Sequence, residues 1–205
     1  MRPVKKARGI MTAKDRRAHH ALLAGVFFLF SILTLYLISQ YEPVQRKYLY
    51  PFPHQEIIEK YSHKYDVDVD LIASVINKES KFKNEAKSHR GALGLMQIMP
   101  ETAKWIAKET GEKDFSLEKL NDPETNIRFG VWYLSTLQKE FWYNEVLTLA
   151  AYNAGRGNVH EWMEEYGWDY NFKAIKEIPY DETRHYVTDV IKGKAKYKLL
   201  YKDVK

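Results

Sequence analysis

The chain has 205 residues, 45% of them apolar and 14% aromatic, enough to bury a core and unlike a disordered segment. It contains no cysteine, which excludes a disulfide framework, a thiolate metal site and a cysteine nucleophile. Its net charge of +5 is uneven: residues 1–20 carry a net +6, while residues 41–205 hold 25 basic side chains against 26 acidic ones. A basic domain face is the usual footprint of nucleic-acid binding, so no nucleic-acid partner is expected.

Residues 1–20 form a basic tail, expected to stay in the cytoplasm. Residues 21–39 then read ALLAGVFFLFSILTLYLIS, 19 residues without a charge. As a helix rising 1.5 Å per residue this run spans roughly 28 Å, close to the hydrocarbon thickness of a bilayer. A cleaved signal peptide shares the basic start, but its apolar run is usually shorter and ends at a small-x-small site. Here the exit reads Leu37-Ile38-Ser39-Gln40-Tyr41-Glu42-Pro43, without such a pair. The expectation is one uncleaved transmembrane helix over residues 21–40, touching the lipid bilayer through residues 21–39. Seven Lys and Arg side chains before it favour a cytoplasmic N-terminus, with the rest of the chain outside the membrane.

Pro43, Pro51 and Pro53 mark residues 41–53 as a short extended linker. From His54 onward the patterning is helical and β-branched alternation is nearly absent, which predicts an all-α domain over residues 54–205. Ile57, Ile58 and Tyr61 begin a first amphipathic helix. Asp68 can cap a second, with Leu71, Ile72, Val75 and Ile76 on one stripe. Pro100 opens a helix that Gly111 closes, and Asp122-Pro123 caps a long one reaching about Glu140. Further helices run over 144–154, ending at Gly155, and over 157–166. Asp181 caps a last helix toward Leu200.

Four segments could carry chemistry. Glu79 is the next member of the 71, 72, 75, 76 stripe, so a carboxylate sits on the face that enters the core. Burial raises a carboxyl pKa, and a protonated acid near neutral pH is what a glycosidic leaving oxygen requires. A glutamate at a fraying helix end, reaching for solvent, fits the same spacing. Residues 91–99, Gly-Ala-Leu-Gly-Leu-Met-Gln-Ile-Met, combine glycines for close backbone approach with Gln97 among apolar neighbours; a tight turn into a helix is the plainer reading. Tyr152 and Asn153 at a helix end could bond a sugar, or Asn153 could serve the cap. Glu182 lies in a first helical turn, where the macrodipole alone favours it. The seven histidines are scattered, and no H-E-x-x-H pair, G-x-S-x-G elbow or phosphate loop appears, so neither metal nor cofactor is expected.

In order and spacing these segments resemble the catalytic domain of the soluble-lytic-transglycosylase (SLT) family, related in fold to goose-type lysozymes. The residues that carry the likeness are Glu79-Ser80, Ala86, Ser88, Gly91-Ala92 and Gly94-Leu95-Met96-Gln97-Ile98-Met99-Pro100. After them come Ala151-Tyr152-Asn153-Ala154-Gly155, Ile178-Pro179-Tyr180, Glu182-Thr183-Arg184 and Tyr186-Val187. The resemblance covers about residues 54–200 and implies a lysozyme-like helical domain acting on peptidoglycan strands at the bacterial cell membrane. It implies cleavage of the β-1,4 bond between N-acetylmuramic acid and N-acetylglucosamine, leaving a 1,6-anhydro end. Glu79 would act first as acid and then as base. Ser88 would orient it, and Tyr152 would support developing charge. Gly94, Leu95, Met96, Gln97, Met99, Asn153, Glu182 and Tyr186 would contact the substrate, Met96 and Met99 as lining of the groove. Glu85 after Asn84, and Arg156 after Ala-Gly, replace prolines frequent in the family.

A muramidase using the same Glu79 with water as nucleophile is the nearest alternative, with Asp181 or Glu182 to position that water. A non-catalytic anchored glycan-binding or scaffold module is another. It has no need of an acid on an apolar stripe.

Overall fold

The computed structural model describes residues 13–202, so most of the expected basic tail lies outside the described residues. Between Gln45 and Arg46 the chain divides into two units.

In the first unit, helix α1 (Ala13–Gln40) runs for 28 residues, and its stretch His19–Gln40 is long and apolar enough to cross a membrane. None of that stretch is buried within the protein, unlike the core helix of a soluble domain. Its few hydroxyls turn back onto the helix: Ser31 Oγ donates to the Phe27 carbonyl at 2.9 Å and Thr34 Oγ1 to Phe30 at 2.9 Å. Such internal satisfaction is what a helix needs where water is absent. A single turn, α2 (Glu42–Val44), follows with Pro43 in its first turn.

The second unit is helical, and among the described residues it has no strand, only bridges pairing Leu93 with Lys87 and with Ile98. A π-helical turn over Gln45–Leu49 leads into it. The extended linker expected up to Pro53 is not what the structure has. Residues 49–52 are pinned by side chains: Asn77 Nδ2 donates to the Leu49 carbonyl at 2.9 Å, Tyr201 to Tyr50 at 2.8 Å and Tyr197 to Pro51 at 2.8 Å. Phe52 packs on the Tyr197 and Tyr201 rings. Prolines stop regular structure, but they do not stop a segment from docking.

Helices α3 (Gln55–Tyr65) and α4 (Val69–Ser80) come next. Asp68 caps α4 as expected, accepting from the backbone of Asp70 at 2.8 Å and Leu71 at 3.2 Å. Leu71, Ile72, Val75 and Ile76 are buried, each contributing about 1.5–3 kcal/mol. Helix α5 (Pro100–Glu109) starts on its proline, and α6 (Pro123–Glu140) is capped by Asp122 accepting from Thr125 at 2.8 Å. Asn144 caps α7 (Glu145–Ala154), accepting from Leu147 at 2.9 Å. Gly155, at φ 92°, joins it to α8 (Arg156–Tyr166).

Helix α9 (Asp181–Leu200) differs from expectation at its start. Asp181 is its first helical residue and Tyr180 the cap position; the Asp181 carboxylate instead pairs with Arg184. Helix α4 packs mainly along α9, α3 along α6, and α7 against α8 and α9. The last turn of α4, the end of α7 and the start of α9 thereby meet.

Candidate active site

Helix α4 ends abruptly, because Lys81 and Phe82 both take left-handed backbone angles, φ 54° and 59°. Glu79 therefore stands in the last turn, half-buried. Burial pushes its carboxyl up to about 7 from the ordinary 4.5. The Tyr186 hydroxyl and the Lys78 ammonium pull the other way, while the Glu182 carboxylate adds to the rise. Lys78 is itself held by Asp189 at 2.6 Å, so its charge is partly committed. At neutral pH a sizeable share of Glu79 thus keeps its proton.

Two tyrosines flank it. Tyr186 is 3% exposed, and its hydroxyl has no well-formed hydrogen-bond partner among the described residues, although it lies near enough to Glu79 to act on its charge. The Tyr152 hydroxyl donates to the Met96 carbonyl at 2.9 Å. Burial raises both phenols well above the usual 10, with the Glu79 charge adding to the effect, so both stay neutral donors.

The turn over 93–98 is built from beneath by a residue that the motifs did not reveal. Asn126, fully buried on α6, accepts from the Met96 N–H at 2.8 Å and donates to the carbonyls of Leu93 at 3.0 Å and Leu120 at 2.8 Å. Gly94 has φ 75°, and a Cβ there would sit 2.0 Å from the Asn126 amide nitrogen. Gly130 is needed likewise, since its Cβ would meet Met96 Sδ at 2.2 Å. A buried polar residue at a helical position has the sequence signature of any surface asparagine, which is why Asn126 escapes a reading of motifs.

The surface above carries two cavities that share Asn153 and Ala154. One, of about 560 Å³, is lined by Arg90, Asn158, Tyr180, Glu182 and Thr183 among others. The other, of about 210 Å³, is lined by Gln97, Met99, Thr102, Tyr133, Tyr152 and Gly155 among others. Glu79 is not among the lining residues of either; its charge acts on Tyr152 of the smaller cavity, and Glu182 of the larger one acts on Glu79.

The expected site residues, Tyr152 as support for developing charge and the others as substrate contacts, thus fall into those that reach the cavities or Glu79 and those that do not. Tyr152, Gln97, Met99, Asn153 and Glu182 line the cavities, and Tyr186 lies against Glu79. Gly94, Leu95 and Met96 do not reach the surface. Leu95 and Met96 are fully buried, so Met96 is core rather than groove lining and offers only its carbonyl. Ser88 Oγ accepts the Ala92 N–H at 3.0 Å and forms no hydrogen bond with Glu79. Gln97, at φ 48°, donates its amide to the Ala86 carbonyl at 3.0 Å and the Gly94 carbonyl at 2.8 Å, leaving its carbonyl oxygen for a ligand. Asn153 Oδ1 accepts from Thr183 at 2.8 Å, tying α7 to α9. Tyr133, Thr102 and Arg90 were not anticipated; single residues on helical or loop surfaces carry no spacing signal.

Comparison with known proteins gives the arrangement a context. The family model described as "Transglycosylase SLT domain" matches residues 56–175. The soluble lytic murein transglycosylase of Escherichia coli K12 is 33% identical over 156 residues, 75% of this chain and 24% of that protein. The membrane-bound lytic murein transglycosylase E of Buchnera aphidicola is 43% identical over 88 residues, 42% of this chain and 40% of the relative. The crystal structure of the 70 kDa soluble lytic transglycosylase of Escherichia coli superimposes with a TM-score of 0.68 at 33% identity, covering 73% of this chain and 25% of that one. A structure of a 70-kDa soluble lytic transglycosylase in complex with bulgecin A gives a TM-score of 0.69 at 33% identity over 73% of this chain and 25% of that one. The chain spans about a quarter of the length of the soluble relatives it matches. An all-α lysozyme-like domain carrying these motifs in order, matched by model, sequence and structure, places this chain in the transglycosylase SLT domain family.

Proposed function

We propose that this protein is a membrane-anchored peptidoglycan lytic transglycosylase that cleaves the bond between N-acetylmuramic acid and N-acetylglucosamine. The observation that carries this reading is a half-buried carboxyl, Glu79, in the last turn of α4 against the buried phenols of Tyr152 and Tyr186, where burial raises it to about 7. Its neutral form donates the proton to the bridging oxygen as the C1–O bond breaks. The resulting carboxylate takes the proton of the muramoyl C6 hydroxyl as that oxygen bonds to C1. A 1,6-anhydro ring forms, no water is consumed, and the acid is regenerated. Typical glycosidases use two carboxylates; here the second nucleophile belongs to the sugar.

The Tyr152 and Tyr186 hydroxyls face the charge that develops, and Gln97, Asn153 and Met99 hold the strand. Burial keeps the Glu79 proton affinity high, and the Glu182 charge adds to it. Helix α1 crosses the bilayer once with the N-terminus in the cytoplasm, which puts the catalytic unit on the outer side of the bacterial cell membrane.

The test uses the full chain in detergent on purified peptidoglycan. Wild type is expected to release soluble muropeptides, and Glu79→Gln to release them about 10³-fold more slowly while melting cooperatively. A folded Glu79→Gln variant that cleaves at the wild-type rate overturns the reading.

A further inference from the structure

Arg90 stands at the tip of a turn that the backbone holds firmly. The Gly91 N–H donates to the Ser88 carbonyl at 3.0 Å, and Ser88 N–H donates to Ala92 at 3.0 Å. Ser88 Oγ closes the same turn from the Ala92 N–H. At this fixed tip Arg90 lines the larger of the two cavities, where it is the one cationic residue among the described lining residues. Opposite stands Glu182, with a single contact of 3.9 Å and both side chains about 70% exposed. That pair is long, monodentate and solvated, so it contributes little to the fold. Asp181, the other acid there, is already engaged by Arg184.

The rest of the lining is neutral: Asn153, Asn158, Tyr180 and Thr183 offer amide and hydroxyl groups suited to sugar hydroxyls and acetamides. A neutral saccharide gives an arginine nothing to pair with. The peptide stems attached to a peptidoglycan strand do, through their free carboxylates. An arginine fork matches a carboxylate with two parallel hydrogen bonds, a geometry that Glu182 does not supply at 3.9 Å.

Building on the transglycosylase reading above, we infer that Arg90 is a specificity-determining residue: it exchanges its loose pairing with Glu182 for a carboxylate of a stem peptide, and so favours strands that still carry acidic stems.

The experiment uses soluble, N-acetylated peptidoglycan strands before and after carbodiimide coupling to ammonia, which converts carboxylates to neutral amides. The full-length wild type is expected to prefer the acidic strands about tenfold in kcat/KM, through KM, as loss of one charge-assisted pair implies. In Arg90→Ala that preference collapses toward unity, and Arg90→Lys retains part of it. Equal slowing of both substrates, no change on either, or an equal shift of both pH profiles through Glu182 overturns the inference. Failure of wild type to cleave either substrate overturns the transglycosylase reading itself, which is a distinguishable result.

Discussion

The buried Tyr186 hydroxyl faces the Glu79 carboxyl and is the strongest influence opposing the rise that burial imposes on it. In the proposed mechanism the phenol would stabilise negative charge on the carboxylate that regains a proton in the second half of the reaction. Tyr186→Phe should therefore shift the alkaline limb of kcat/KM upward from about 7 and lower kcat about tenfold, the worth of one hydrogen bond. Rate profiles between pH 5 and 9 measure both effects, and an unmoved limb would remove Tyr186 from the site.

Glu79 also leaves a mark on stability. Its folded-state pKa of about 7 exceeds the ordinary 4.5, so the native state binds more protons than the unfolded chain between those values. The Glu79 contribution to stability is then least unfavourable below about 4.5, declines as pH rises to about 7, and is flat beyond, by at most about 3 kcal/mol. Glu79→Gln removes this slope. Urea unfolding should show the variant gaining on wild type between pH 5 and pH 8, and parallel curves would contradict it.

The turn that carries Gln97 depends on Asn126. Asn126→Ala strands the Met96 N–H and two carbonyls, at a cost of about 3 kcal/mol or more. Gly94→Ala forces a Cβ within 2.0 Å of the Asn126 amide at a positive φ and should cost a comparable amount. Denaturant midpoints check both, and activity should fall with them.

The anchor has its own test. Intact cells treated with external protease should lose everything beyond Gln40, while the apolar stretch His19–Gln40 stays in the membrane fraction. A soluble product beginning near residue 40 would contradict an uncleaved anchor.

How much of this could be read beforehand depended on whether a residue's role leaves a periodic or local trace. Helix α4 with its Asp68 cap, α6 with Asp122-Pro123 and α7 with Asn144 were legible, because capping chemistry and 3.6-residue spacing are local. Glu79 was visible as a carboxylate on an apolar stripe. The docking of residues 49–52 was not, because it rests on Asn77, Tyr197 and Tyr201, the last two lying 146 and 151 residues from their partners in sequence. Leu95 and Met96 belong to a recognisable motif, yet the motif does not say which of its members face inward. Met96, in a turn, is fixed by Gly130 on α6, and Arg90 meets Glu182 only once α9 is in place.

A transglycosylase and a muramidase differ in where the attacking oxygen comes from. Digestion of peptidoglycan by the full chain in heavy-oxygen water, followed by mass spectrometry of the released muropeptides, reads that source. Anhydro-muramic acid ends free of the heavy isotope are the predicted result. Reducing muramic acid ends carrying one heavy oxygen would contradict it and identify the enzyme as a muramidase.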